Sequence, residues 1–153
     1  MKNHWFIIVL QLSSTFEALQ SPLYQMLRDI PTVVILTLLF LLGHALGSTF
    51  SLYEGIFGFD MVMHALGGAW LAAVFIVVKW FPYRTMFHVI GLVLLAGLAW
   101  ELYEYGFAVW ATATYGDLGF HQPWTDTASD LVLDTLGAAL TSLFLLPKER
   151  KVS

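Results

Sequence analysis

Seven residues in this chain have the types and spacing that a cation site needs. Asp60 and His64 stand at i, i+4, so on a helix they share a face. Glu101 and Glu104, at i, i+3, share another. Asp126, Asp130 and Asp134 repeat at i, i+4, i+8 if their helix begins early. Like charges at these spacings repel when all are ionised. In a low-dielectric setting they must be protonated, paired with cations or bound to metal. Carboxylates with one or two imidazoles suit Mg, Mn, Fe or Zn. Such a divalent ion can activate water or clamp the phosphate of a lipid headgroup, and Glu101 and Glu104 are the candidate proton acceptors. Asp60 is either a ligand or the group that orients His64 through its other ring nitrogen.

The elements that must position these residues are membrane helices. The chain is 58% hydrophobic and 12% charged, with mean hydropathy +0.73. A soluble domain carries about 25% charged residues. His64 itself lies in "MVMHALGGAW", at the start of an uncharged, mostly apolar run from Met61 to Val78. Four segments read as spans, about 31–50, 60–80, 85–110 and 130–146, with Pro31 expected in a first helical turn. A weaker candidate, about 5–27, contains Gln11, Glu17 and Pro22, and is expected to span or to lie at the interface. The fold class expected is all-α: a polytopic bundle of about five membrane helices, four if the first is interfacial, in a single integral-membrane domain over 1–153. The start, "MKNHWFIIVLQLSSTF", has too short an apolar core for a cleaved signal peptide.

Arg28, Lys79, Arg84, Lys148, Arg150 and Lys151 can all fall on one side, which predicts the cytoplasm there and for the C terminus. Counted from that side at ~1.5 Å per residue, His44, His64, Glu101, Glu104, Asp130 and Asp134 lie about 20 to 30 Å up, in the outer part of the membrane. No Lys or Arg shares their level. His44, His64, Asp60, Glu101, Glu104, Asp130 and Asp134 are therefore the candidate metal ligands. Two other readings stand beside this one. The carboxylates can be protonated and conduct protons. Alternatively they are solvated helix ends, with Asp60, Thr127 and Asp130 as N-caps, "TASD" (127–130) as a capping box, and Glu101 and Glu104 facing water. Glu17 falls near mid-membrane if its segment spans. His88 reads as a hydrogen-bonded interface residue, and His4 and His121 as solvated.

"LGG" before Ala69, Ala96 with Ala99, and "LGAA" after Thr135 permit close helix approach. The absence of Cys excludes disulfides, thiolate metal sites and thiol nucleophiles. A net charge of −4 carries no nucleic-acid signal. There is no Gly-rich phosphate loop, G-x-S-x-G, H-E-x-x-H or E-x-x-H, the last arguing against a di-iron carboxylate bundle.

"DMVMHALGG", "AWELYEY" and "DTASDLVLDTLGAAL" resemble in order the YjdF-like bacterial inner-membrane family and, more distantly, the VanZ-like membrane family, over roughly residues 55–145. Asp60 and His64 match the VanZ-like Asp and His, Glu101 its Glu, and Asp130 its Asp. Glu104 stands where that family has Gln, and Asp134 where it has Asn. These departures make the site more acidic, fit the YjdF-like pattern better and weaken any transfer of a resistance role. The resemblance implies a small multi-helix membrane protein with a polar site, and no particular reaction.

The function expected is a metal-dependent membrane enzyme or metal-binding protein acting near the outer face. Proton or cation translocation is the alternative, and a structural subunit of a larger membrane complex the second. Membrane lipids are the expected partners, with a homo-oligomer or larger complex, and the bacterial inner membrane is the expected location.

Overall fold

The computed structural model describes residues 22–78, 85–116 and 124–146. In chain order the helices are α1 (Pro22–Thr49), α2 (Leu52–Gly55), α3 (Phe59–Val78), α4 (Met86–Tyr115) and α5 (Trp124–Leu145), with no strand among the described residues. Asp29–Thr49 within α1, and α3, α4 and α5 entire, are long and apolar enough to cross a membrane. Their outward faces leave Leu38, Leu42, Leu95, Leu98, Leu140 and Phe144 exposed. Water would penalise such a surface, and acyl chains do not.

Several boundaries differ from the sequence expectation. Residues 22–27, assigned to a separate first segment, belong to α1, so Pro31 lies inside a helix and not in its first turn. Membrane helices tolerate an internal proline because neighbouring groups and local adjustments satisfy the freed carbonyl. The rest of the first candidate segment, with Glu17, lies outside the described residues, as do His4 and His121. Helix α4 runs to Tyr115, about a turn beyond 110. Helix α5 starts at Trp124 and not at 130, so "TASD" lies within the helix and neither Thr127 nor Asp130 caps it. Asp60 likewise sits in the first turn of α3, after Phe59, and is not its N-cap. The short α2 was not expected. It follows Ser51, whose φ of 52° lies in the left-handed region.

Helix α3 is the centre of the bundle. It packs mainly on α5, with α1 on another side, while α4 lies mainly on α5. Without a hydrophobic drive between helices in lipid, close backbone approach and van der Waals packing must hold them. Gly68 of α3 lies against the Asp134 carbonyl of α5, and Gly137 of α5 against the Ala65 carbonyl of α3. Each glycine admits the other helix where a side chain would block it. Toward the far ends of α3 and α5, Ala72, Ala73 and Ile76 pack with Ala138 and Leu145 and with Val89 and Val93 of α4. Ala96 is half-buried and Ala99 exposed, so among the described residues no helix makes the expected close approach at Ala99. Gly97, between them, is the buried contact residue.

Candidate metal centre

His64 is the hub of the acidic end. Its side chain is 11% exposed, and three carboxylates from two helices surround it. The Nε2 atom lies 3.8 Å from Asp60 Oδ1 and 3.8 Å from Asp130 Oδ2. The Nδ1 atom lies 3.5 Å from Asp134 Oδ1. Asp60 reaches the ring because it is one turn away on the same helix. Asp130 and Asp134 reach it because the crossing at Gly68 and Gly137 brings their face of α5 onto α3. The early start of α5 does put Asp126, Asp130 and Asp134 on one continuous helix, but Asp126 remains exposed.

Asp130 is the most demanding residue of the group. It is 1% exposed, and neither Oδ1 nor Oδ2 has a hydrogen-bond partner among the described residues. A buried carboxylate in that condition needs a proton or a cation. Asp60, His64 and Asp130 each offer one ligand atom, all within 4.8 Å of one another. Three ligands at ~2.1 Å from one ion lie roughly 3.0 to 3.6 Å apart, so a small inward movement closes the set. Two carboxylate oxygens and one imidazole nitrogen suit Mn, Fe or Zn better than a soft ion.

Glu101 and Glu104 sit beside this set. Glu101 is 5% exposed, which corrects the reading that it faces water, and Thr127 Oγ1 donates to its Oε2 at 2.8 Å. Glu104 is half-buried, close enough for its charge to act on Asp60 and Glu101. His44 stands apart from the carboxylates around His64: it is exposed, with Nδ1 2.9 Å from the Tyr53 hydroxyl. Burial pushes the Tyr53 phenol above its ordinary value, and the nearby Asp60 and Glu104 charges push the same way. The neutral phenol can then donate to His44. At the opposite end, Thr85 bonds the ring and backbone of His88 and caps α4, in keeping with a hydrogen-bonded role.

Sequence reasoning missed Gly97, Thr127 as a donor to Glu101, and Tyr53. Gly97 had a signal, since it lies at i−4 from Glu101 and shares its face. Thr127 shares the Asp130 and Asp134 face at i, i+3, i+7, which became visible only once α5 began upstream. Tyr53 had none, because the Ser51 turn that folds it back toward His44 has no sequence periodicity.

Residues 4–151 match the model of a family described as "Predicted membrane protein (DUF2238)". The chain belongs to that family. No curated protein matches it, and no solved structure does. The family description agrees with the four membrane-capable helices of this member. It bears on neither the YjdF-like nor the VanZ-like resemblance.

In this DUF2238 chain the donors fall into two sets about the imidazole. Nε2 faces Asp60 and Asp130, while Nδ1 faces Asp134. Two carboxylate oxygens and an imidazole nitrogen on the Nε2 side are donors of the type that hard or borderline divalent ions take, and Glu101 and Glu104 lie beside them.

Proposed function

We propose that this protein binds a divalent cation through Asp60, His64 and Asp130 in the outer half of the membrane. The observation that carries the reading is Asp130, a buried carboxylate without a hydrogen-bond partner among the described residues, aimed at an imidazole nitrogen that a second carboxylate also faces. The bound ion would polarise water or a coordinated oxygen, and Glu101 or Glu104 would take the released proton. That makes a metal-dependent membrane enzyme the extension of the binding reading. The lysine and arginine pattern favours a multi-pass protein of the bacterial cytoplasmic membrane, with its C terminus in the cytoplasm and the site toward the outside.

Translocation is less favoured. Below the site, the buried core residues of α3, α4 and α5 include Ala72, Ala73, Ile76, Val77, Val89, Val93, Ala138 and Leu145, with Ser142 the polar exception among the described residues of these helices. A proton or ion path normally needs polar partners along its length.

The test is elemental analysis of the detergent-purified protein beside Asp130→Asn and His64→Gln variants. About one equivalent of Mn, Fe or Zn, lost in both folded variants, supports the reading. No bound metal in the unmodified protein after loading with Mg, Mn, Fe and Zn in turn overturns it. Proton flux in vesicles would then be the measurement for the carboxylates.

A further inference from the structure

We propose that Asp134 is a positioning residue for His64 and not a ligand: it holds the Nδ1 proton so that Nε2 points its lone pair at Asp60 and Asp130. The proposal deepens the cation reading and rests on it for its purpose, though not for its geometry. The nearest carboxylate to the ring is Asp134, at 3.5 Å from Nδ1, against 3.8 Å for each carboxylate on the Nε2 side. The two ring nitrogens point away from each other. An ion on Nε2 is therefore out of reach of a carboxylate held against Nδ1, and Asp134 cannot serve in the same ligand set.

Asp134 is also fixed more firmly than a group that must move onto an ion. Its backbone carbonyl is packed against Gly68. Its other oxygen, Oδ2, faces Gly97 of α4, where an added Cβ would lie 2.6 Å away. Leu131 Cδ2 would lie 3.0 Å from the same Cβ, so α4 closes tightly over this part of α5. Gly97 thus walls the carboxylate from behind, and α3 and α4 enclose it on either side. A histidine ligand whose second nitrogen donates to a carboxylate has a fixed tautomer and ring orientation and a more basic ligand atom.

The experiment is nitrogen NMR of histidine-labelled protein in micelles, with and without Zn2+, with His64→Gln to assign the signals. As pH is raised until the ring is neutral, Nδ1 should keep the proton in the metal-free protein. Zn2+ should then shift Nε2 alone. Asp134→Asn, whose side-chain oxygen still accepts, should keep the Nδ1–H form while weakening Zn2+ binding by about 10 to 100-fold. Asp134→Leu should lose the preference for Nδ1–H. Should the leucine variant fail to fold, the unmodified protein and the asparagine variant decide the matter. A neutral ring protonated at Nε2, or Zn2+ bound at Nδ1, overturns the positioning role. An Nδ1–H ring that Zn2+, Mn2+, Fe2+ and Mg2+ each leave untouched upholds the positioning role and removes the cation reading, so the two failures are separate.

Discussion

Gly68 of α3 lies directly against the backbone carbonyl of Asp134 on α5, and this contact sets the distance at which His64 meets its carboxylates. The reciprocal contact, Gly137 against the Ala65 carbonyl, makes the crossing two-sided. In this crossing, the packing of the bundle and the geometry of the site are the same structural fact.

Substitution at the crossing should therefore cost both stability and cation binding. Gly68→Ala and Gly137→Ala each place a Cβ against backbone of the opposite helix, which cannot yield as a flexible side chain would. Overpacking of this kind costs about 1 to 3 kcal/mol or more. Gly91→Ala is the control, since nothing lies within 4 Å of its Cβ position. It should be neutral or stabilise by about 0.5 to 1 kcal/mol, as alanine does in helix interiors. Thermal unfolding in detergent checks the pair, and equal melting temperatures for Gly68→Ala and Gly91→Ala would contradict it.

Asp130→Asn should act oppositely on the metal-free and metal-loaded protein. Without metal the substitution removes a buried carboxylate that has no hydrogen-bond partner among the described residues, so the melting temperature should rise. With Mn2+ at a hundredfold excess over its dissociation constant, the unmodified protein should gain about 2.7 kcal/mol. The variant should gain almost nothing. Melting curves with and without Mn2+ give both numbers, and an undiminished Mn2+ response in the variant would exclude Asp130 as a ligand.

Tyr53 predicts an alkaline effect. Burial and the nearby carboxylates hold its phenol neutral above the free-tyrosine value of 10.0. The folded protein thus keeps a proton that the unfolded chain releases. The stability tied to that proton is fully present below 10.0 and is lost as pH climbs through the higher folded value. Tyr53→Phe should flatten this part of the stability profile without changing it near neutrality beyond the loss of the His44 hydrogen bond. Absorbance of tyrosinate, compared between the protein and the variant, checks the direction. A Tyr53 phenolate appearing below the free-tyrosine range would contradict it.

Much of this arrangement is legible in the amino-acid sequence. The apolar runs identified four membrane-capable helices because a span must be about 20 apolar residues long whatever it packs against. The Asp60–His64 pair was legible because both lie on one helix, where backbone geometry alone puts i and i+4 on the same face. The starts of α1 and α5 were not. Pro31 and "TASD" both carry the chemistry of a helix start, yet each lies inside a longer helix. Local capping preference is worth about 1 kcal/mol, and tertiary packing overrides it.

The chain alone determined which residues could do chemistry and how far along its helix each one lies, because helical rise and periodicity are local properties of the backbone. Only the tertiary structure decided how they are shared out. It turned Asp130 toward Nε2 and Asp134 toward Nδ1, gave Glu101 to Thr127, and left His44 with Tyr53. The reason is that the facing of one helix to another depends on where backbones can approach. Here that is at Gly68, Gly97 and Gly137, residues whose lack of a side chain has meaning only once a second helix is in place.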